Sequence, residues 1–196
     1  MSKDYETIHL IQAQMKDVPG DITDLIVRMY NRLENKKRYA SGLSTSITMF
    51  LAMKHLGYNP LLILGTVRFQ GISFPHAWLE LDGKIIDIAI AEDTKYHPVL
   101  SDKVKPVQVQ CYQSYDNAEL DYFDFQFSEM WPMHGMKQVV GKNLAEYINM
   151  AEDIDILAEV CSILNISAIV DNGKKIYEMA QQYKISDVAK EVYQDE

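Results

Sequence analysis

Two short apolar runs meet at one dipeptide. "PHAWLEL" (Pro75–Leu81) and "KIIDIAI" (Lys84–Ile90) read as strands, and only Asp82-Gly83 separates them. Asp-Gly favours a two-residue hairpin, because both residues accept the positive φ that matches the twist of the flanking strands. A two-residue turn sets the register: Leu81 faces Lys84, Glu80 faces Ile85, and Trp78 faces Asp87. Side chains alternate along a strand, so His76, Trp78 and Glu80 share a face with Ile85 and Asp87. His76 and Asp87 become diagonal neighbours, about 7–8 Å apart at the backbone and within side-chain reach. A three-residue loop would place them on opposite faces.

Helices are expected on both sides of this hairpin. Residues 5–16 carry Ile8, Leu10, Ile11 and Met15, which suits a short amphipathic helix broken by "DVPGD". Asp21 can cap a second helix with Ile22, Leu25, Ile26, Met29, Tyr30 and Leu33 on one face. A third runs from about Ser44 to Leu56, with Leu43, Ile47, Phe50 and Leu51 inward and Gly57 as its stop. "PLLILGTVRF" and "PVQVQCY" supply two further strands. Residues 113–140 are aromatic without a clear period and read as irregular. Helical spacing returns at about 143–164, 173–183 and 186–193. Helices, then consecutive strands, then helices make an α+β fold. We expect one α+β domain over 1–140 and a C-terminal helical extension over 141–196 packed on it.

Charge and composition narrow the function. The chain has 196 residues and a net charge of −9, with no long basic run; "NKKR" at Asn35–Arg38 is the densest cluster. An acidic protein repels phosphate backbones, so nucleic acid is not expected as a partner. No apolar segment reaches membrane-spanning length, so no membrane partner is expected, and a cytoplasmic location is the default. Cys111 and Cys161 lack CxxC spacing, and no metal or other cofactor is implied. His97 and His134 lie in expected loops without metal-ligand spacing. The acids of "AEDIDILAE" read as a solvated helix face, not a calcium loop. The segment "LDYFDFQFSEMWPMHGM" reads as packing between helices and sheet, with cleft lining as the alternative.

A histidine and a carboxylate on one sheet face suit a catalytic dyad, in which the acid fixes the imidazole tautomer. A hydrogen-bonded core histidine is the plainer reading. "SGLSTSITMFLAMKHLGYNPLLILGTV" followed by "HAWLELDGKIIDIA" resembles the transglutaminase-like and papain-like superfamily, over about residues 38–90. It is similar to microbial transglutaminase-like proteins, arylamine N-acetyltransferases and lasso-peptide leader peptidases. The resemblance implies a central helix packed on an antiparallel sheet, with C-terminal helices. It also implies His76 as general base and Asp87 as its orienting acid.

The same resemblance puts the nucleophilic cysteine about fifteen positions before the helix-closing Gly57, at Gly42. A cysteine there gains from the helix N-terminus and the imidazolium; Gly42 carries no nucleophile at all. Three readings follow. The first is a degenerate member that keeps the His–Asp pair, lacks the thiol, and binds a peptide or protein. The second is an active hydrolase or acyltransferase using Ser41 or Ser44, although either serine equally suits a helix cap. The third is an interaction module in which His76 and Asp87 are structural. Oligomeric state is not set by the sequence.

Overall fold

The structure is a computed structural model and describes residues 3–36, 42–97, 99–105, 107–124, 139, 141–151, 154–167 and 170–185. The chain is of mixed α and β type. Three helices come first: α1 (Lys3–Gln14), α2 (Gly20–Lys36) and α3 (Gly42–His55). A five-stranded antiparallel sheet follows, of β1 (Leu61–Phe69), β2 (Ile72–Leu81), β3 (Lys84–Asp87), β4 (Gln110–Gln113) and β5 (Asp121–Asp124). A short helix, α4 (Ala89–Tyr96), lies between β3 and β4. Three more close the described chain: α5 (Leu144–Met150), α6 (Ile156–Ile163) and α7 (Val170–Ala180). The spatial order of the strands is β4-β3-β2-β1-β5.

Two tight turns hold the centre of the sheet. Gln70 and Gly71 join β1 to β2 with φ of 50° and 80°, and Asp82 and Gly83 join β2 to β3 with φ of 53° and 72°. Positive φ at both central residues is the geometry of a type I′ hairpin. The register is the one the Asp-Gly turn dictates, with Leu81 opposite Lys84 and Glu80 opposite Ile85.

Alternation then divides the sheet into two faces. Leu62, Leu64, Ala77, Leu79, Leu81 and Ile86 point into the larger core, where they meet Ile47, Phe50 and Leu51 of α3. That core also takes the apolar stripe of α2 and residues Ile156, Val160 and Ile176 of the C-terminal helices. Each leucine, isoleucine, valine or phenylalanine among them, fully removed from water, contributes about 1.5–3 kcal/mol. Ile63, Val67, Trp78 and Ile85 point the other way, into a smaller core with Ile90, Val107 and Leu120.

Several sequence expectations shift. "KIIDIAI" is not one strand: β3 stops at Asp87 and α4 begins at Ala89. The cause is local, because the Asp87 carboxylate accepts the Ile90 N–H at 3.1 Å and so starts a helix. The strand expected at "PVQVQCY" is limited to Gln110–Gln113. The helix expected over 143–164 is two helices, because Asp155 caps a new one by accepting the Ala158 N–H at 2.9 Å. Within the stretch read as irregular, Asp121–Asp124 forms β5 against β1. Ser41, His134 and the helix expected at 186–193 lie outside the described residues, as does most of the aromatic segment after Asp124.

Candidate functional site

His76 projects from β2 on the face that carries Trp78. Across the ladder its partner on β1 is Gly65, which brings no side chain to compete with the ring. β3 pairs with β2 only at Leu79–Leu81, so among the described residues the earlier part of β2 has no strand beside it there. The first turns of α3 take that place. Ser46 Oγ donates to the Ala77 carbonyl at 2.9 Å, which satisfies a backbone acceptor that β3 leaves unpaired.

The ring is held from both ends. Nε2 lies 2.9 and 3.0 Å from the two Asp87 oxygens. Nδ1 lies 3.4 Å from Asp93 Oδ2. All three residues are buried, His76 being 4% exposed, Asp87 2% and Asp93 5%. Asp87 also accepts the Tyr122 hydroxyl at 2.9 Å and the Ile90 N–H at 3.1 Å. One carboxylate therefore orients the imidazole, ties in β5 and starts α4. The second turn of α4 then returns Asp93 to the other ring nitrogen.

This arrangement selects a protonation state. A neutral imidazole donates from one nitrogen and presents a lone pair on the other. With a carboxylate at each nitrogen, that lone pair would face an anion. The doubly protonated ring puts an N–H toward both. Burial by itself would lower the His76 pKa, but attraction to Asp87 and then to Asp93 outweighs it, and the imidazolium is held up to about 10. Burial, followed by the charge of Asp87, keeps the Tyr122 phenol protonated, well above its usual range.

Gly42 completes the site. A Cβ built there would lie 2.8 Å from both His76 Cε1 and His76 Nδ1, and 3.3 Å from Asp93 Oδ2. The space beside the ring, at the start of α3, is thus filled by His76 itself and by Asp93. The helix N-terminus adds partial positive charge, which suits the excess anion of an Asp–His–Asp triplet.

The residues read from sequence separate here. His76, Asp87 and Gly42 come together at one point. Ser44 lies on another face of α3, lining a small cleft with Met29, Arg32, Leu33 and Glu159. The His76 ring nitrogens are taken by Asp87 and Asp93, and Ser44 is not among their partners. Cys111 and Cys161 are both buried, and burial pushes both thiols up, Cys111 furthest. Neither has the depressed pKa of an activated nucleophile. His97 Nδ1 accepts the N–H groups of Val99 and Leu100, a loop-capping role. Glu159, one of the acids read as a solvated face, is buried and pairs with Arg32 and Lys36 of α2.

Asp93 and Tyr122 were not singled out from sequence. For Asp93 the available signal was the pair Glu92-Asp93 just after an apolar run, a place where acids require a partner. Among the described residues, no group of three or more His, Cys, Asp or Glu is placed to hold a metal ion. No described helix is long and apolar enough to cross a membrane.

The fold and site define a mixed α and β protein with a buried Asp–His–Asp triplet at the N-terminus of its third helix. Comparison with protein-family models, curated proteins and solved structures finds no match to this chain.

Proposed function

We propose that this chain is a degenerate member of the transglutaminase-like and papain-like superfamily, which binds a peptide or protein without cutting it. The observation that carries the reading is Asp93 at His76 Nδ1, beside a glycine with no room for a side chain. In a working thiol enzyme of this type an anion, the thiolate, would stand at that edge of the ring. Here a fixed carboxylate supplies the negative charge instead, and among the described residues no nucleophile accompanies it.

The protonation state supports the same reading. A general base works best with a pKa near the operating pH, so that it is free to take a proton. An imidazolium held to about 10 by two carboxylates has no such capacity near neutrality. Peptide or protein as the partner rests on the resemblance, and a cytoplasmic setting is proposed only as the default for a chain in which no apolar run reaches membrane-spanning length. Nucleic acid is not part of the proposal, given the net charge of −9.

Two experiments test the proposal. The native protein should take up neither a fluorophosphonate nor an iodoacetamide probe. A covalent adduct that disappears in His76→Ala would overturn the loss of catalysis. A random-peptide display selection on the folded protein should enrich sequences whose synthetic peptides bind saturably. No enrichment above a urea-unfolded control would count against the partner class.

A further inference from the structure

The residue before Asp93 has a different environment. Glu92 is 1% exposed, and among the described residues its Oε2 has no hydrogen-bond partner. Its other oxygen, Oε1, lies 3.7 Å from Lys95 Nζ. That ammonium is already engaged: it contacts both oxygens of Glu34 on α2, at 2.9 and 3.1 Å. Tyr30 Oη of α2 adds a 3.2 Å bond to Glu34 Oε1. Two carboxyl groups on facing helices therefore share one lysine. Among the described residues α3 also packs on α4, and it has no charged residue from Gly42 to Met53. Asp93, next in sequence, is committed to His76.

We propose that the Glu34–Glu92 carboxyl pair is a pH-operated latch that holds α4, and with it the Asp93 carboxylate, over the His76 ring. The physical basis is the unpartnered buried oxygen. A protonated Glu92 is neutral and can lie beside Glu34 in a dry contact. An ionised Glu92 places a second anion there with one shared cation and no donor for Oε2. Burial, and then repulsion from Glu34, raises the Glu92 carboxyl to about 7 despite Lys95, which puts the change in the neutral range. The sign follows. A carboxyl raised on folding binds more protons in the folded state, so helix docking weakens as pH rises through that value. Loosening of α4 withdraws Asp93 and exposes Nδ1 of the imidazolium, the ring edge that faces Gly42. The latch holds whether or not the superfamily reading is right.

The test is amide hydrogen exchange across Ile90–Tyr96 between pH 6 and 8.5, as neutrality is the range at issue, corrected for intrinsic exchange and referenced to β1 and β2. In the native protein, protection of α4 should fall about tenfold relative to the sheet as pH rises through about 7, roughly the effect of losing one proton-linked contact. Glu92→Gln should remove the fall near pH 7, leaving only the shallower dependence that His76 contributes through Asp93. Glu34→Gln, which removes the repulsion and leaves Glu92 in place, should move the midpoint to lower pH. Equal pH dependence in native protein and Glu92→Gln, or a flat native profile, would overturn the latch. An unmoved midpoint in Glu34→Gln would also overturn it.

Discussion

A methyl group added at Gly42 has to enter space already held by the His76 ring. Its contacts would be 2.8 Å to two ring atoms and 3.3 Å to Asp93 Oδ2. The ring cannot retreat freely, because Asp87 holds its far nitrogen at 2.9 Å and is itself fixed by Tyr122 and Ile90. Overpacking of this kind costs about 1–3 kcal/mol. The helix-propensity gain of alanine over glycine is at most about 1 kcal/mol, and smaller in the first turn. Gly42→Ala should therefore destabilise the protein, by about 1.5 kcal/mol at the middle of the range of about 0–3 kcal/mol that the difference of those effects spans.

An internal control sharpens the result. Gly173 lies within α7, and a Cβ there would meet nothing within 4 Å. Gly173→Ala should stabilise by about 0.4–1 kcal/mol through the unfolded chain and helix propensity. Urea denaturation of both variants, analysed at a common slope, reads the two signs directly. A neutral or stabilising Gly42→Ala would refute the account of a ring pressed against the start of α3. Asp93→Ala should relieve part of the Gly42→Ala penalty, since the ring can then shift toward the space left by the carboxylate.

Other expectations follow from the same geometry. His76→Gln strands two buried carboxylates and should cost about 3–5 kcal/mol, the range for breaking a buried ion pair, measured by urea denaturation. Because the His76 pKa is raised on folding, its contribution is complete below the unfolded value of about 6.5. It is lost as pH rises toward about 10. Stability of the native protein should fall across that window, and His76→Gln should flatten the fall. Tyr122→Phe removes a hydrogen bond to a buried carboxylate and should cost about 1.5–3 kcal/mol by the same assay. Cys111 and Cys161 should resist a disulfide reagent in the native state and react on unfolding, since both are buried.

How far the sequence revealed this site depends on which forces act locally. The hairpin was legible because Asp-Gly dictates a turn and the turn dictates a register, so His76 and Asp87 fall on one face without any tertiary knowledge. The inner stripe of α2 was legible for a similar reason, as Ile22, Leu25, Ile26, Met29, Tyr30 and Leu33 are all buried. Helix α4 was not legible. Its buried residues include Glu92, Asp93 and Thr94, which break any apolar period. Thr94 Oγ1 donates to the Ile90 carbonyl one turn back and accepts the N–H of Val107 from the loop beyond the helix, so its burial follows from packing and not from an apolar period. Asp93 was missed with its helix. Gly42 was read as the place of an absent thiol, but its crowding by His76 arises only from the packing of α3 along the edge of β2 that β3 leaves open.

The most direct test of a His76 that stays charged through neutral pH is an NMR titration of its ring nitrogens in selectively labelled protein. The account predicts two protected ring N–H signals with imidazolium shifts through neutral pH, and loss of the proton only toward pH 10. A ring that titrates near the ordinary histidine value of about 6.5, or shows one N–H at neutrality, would contradict it.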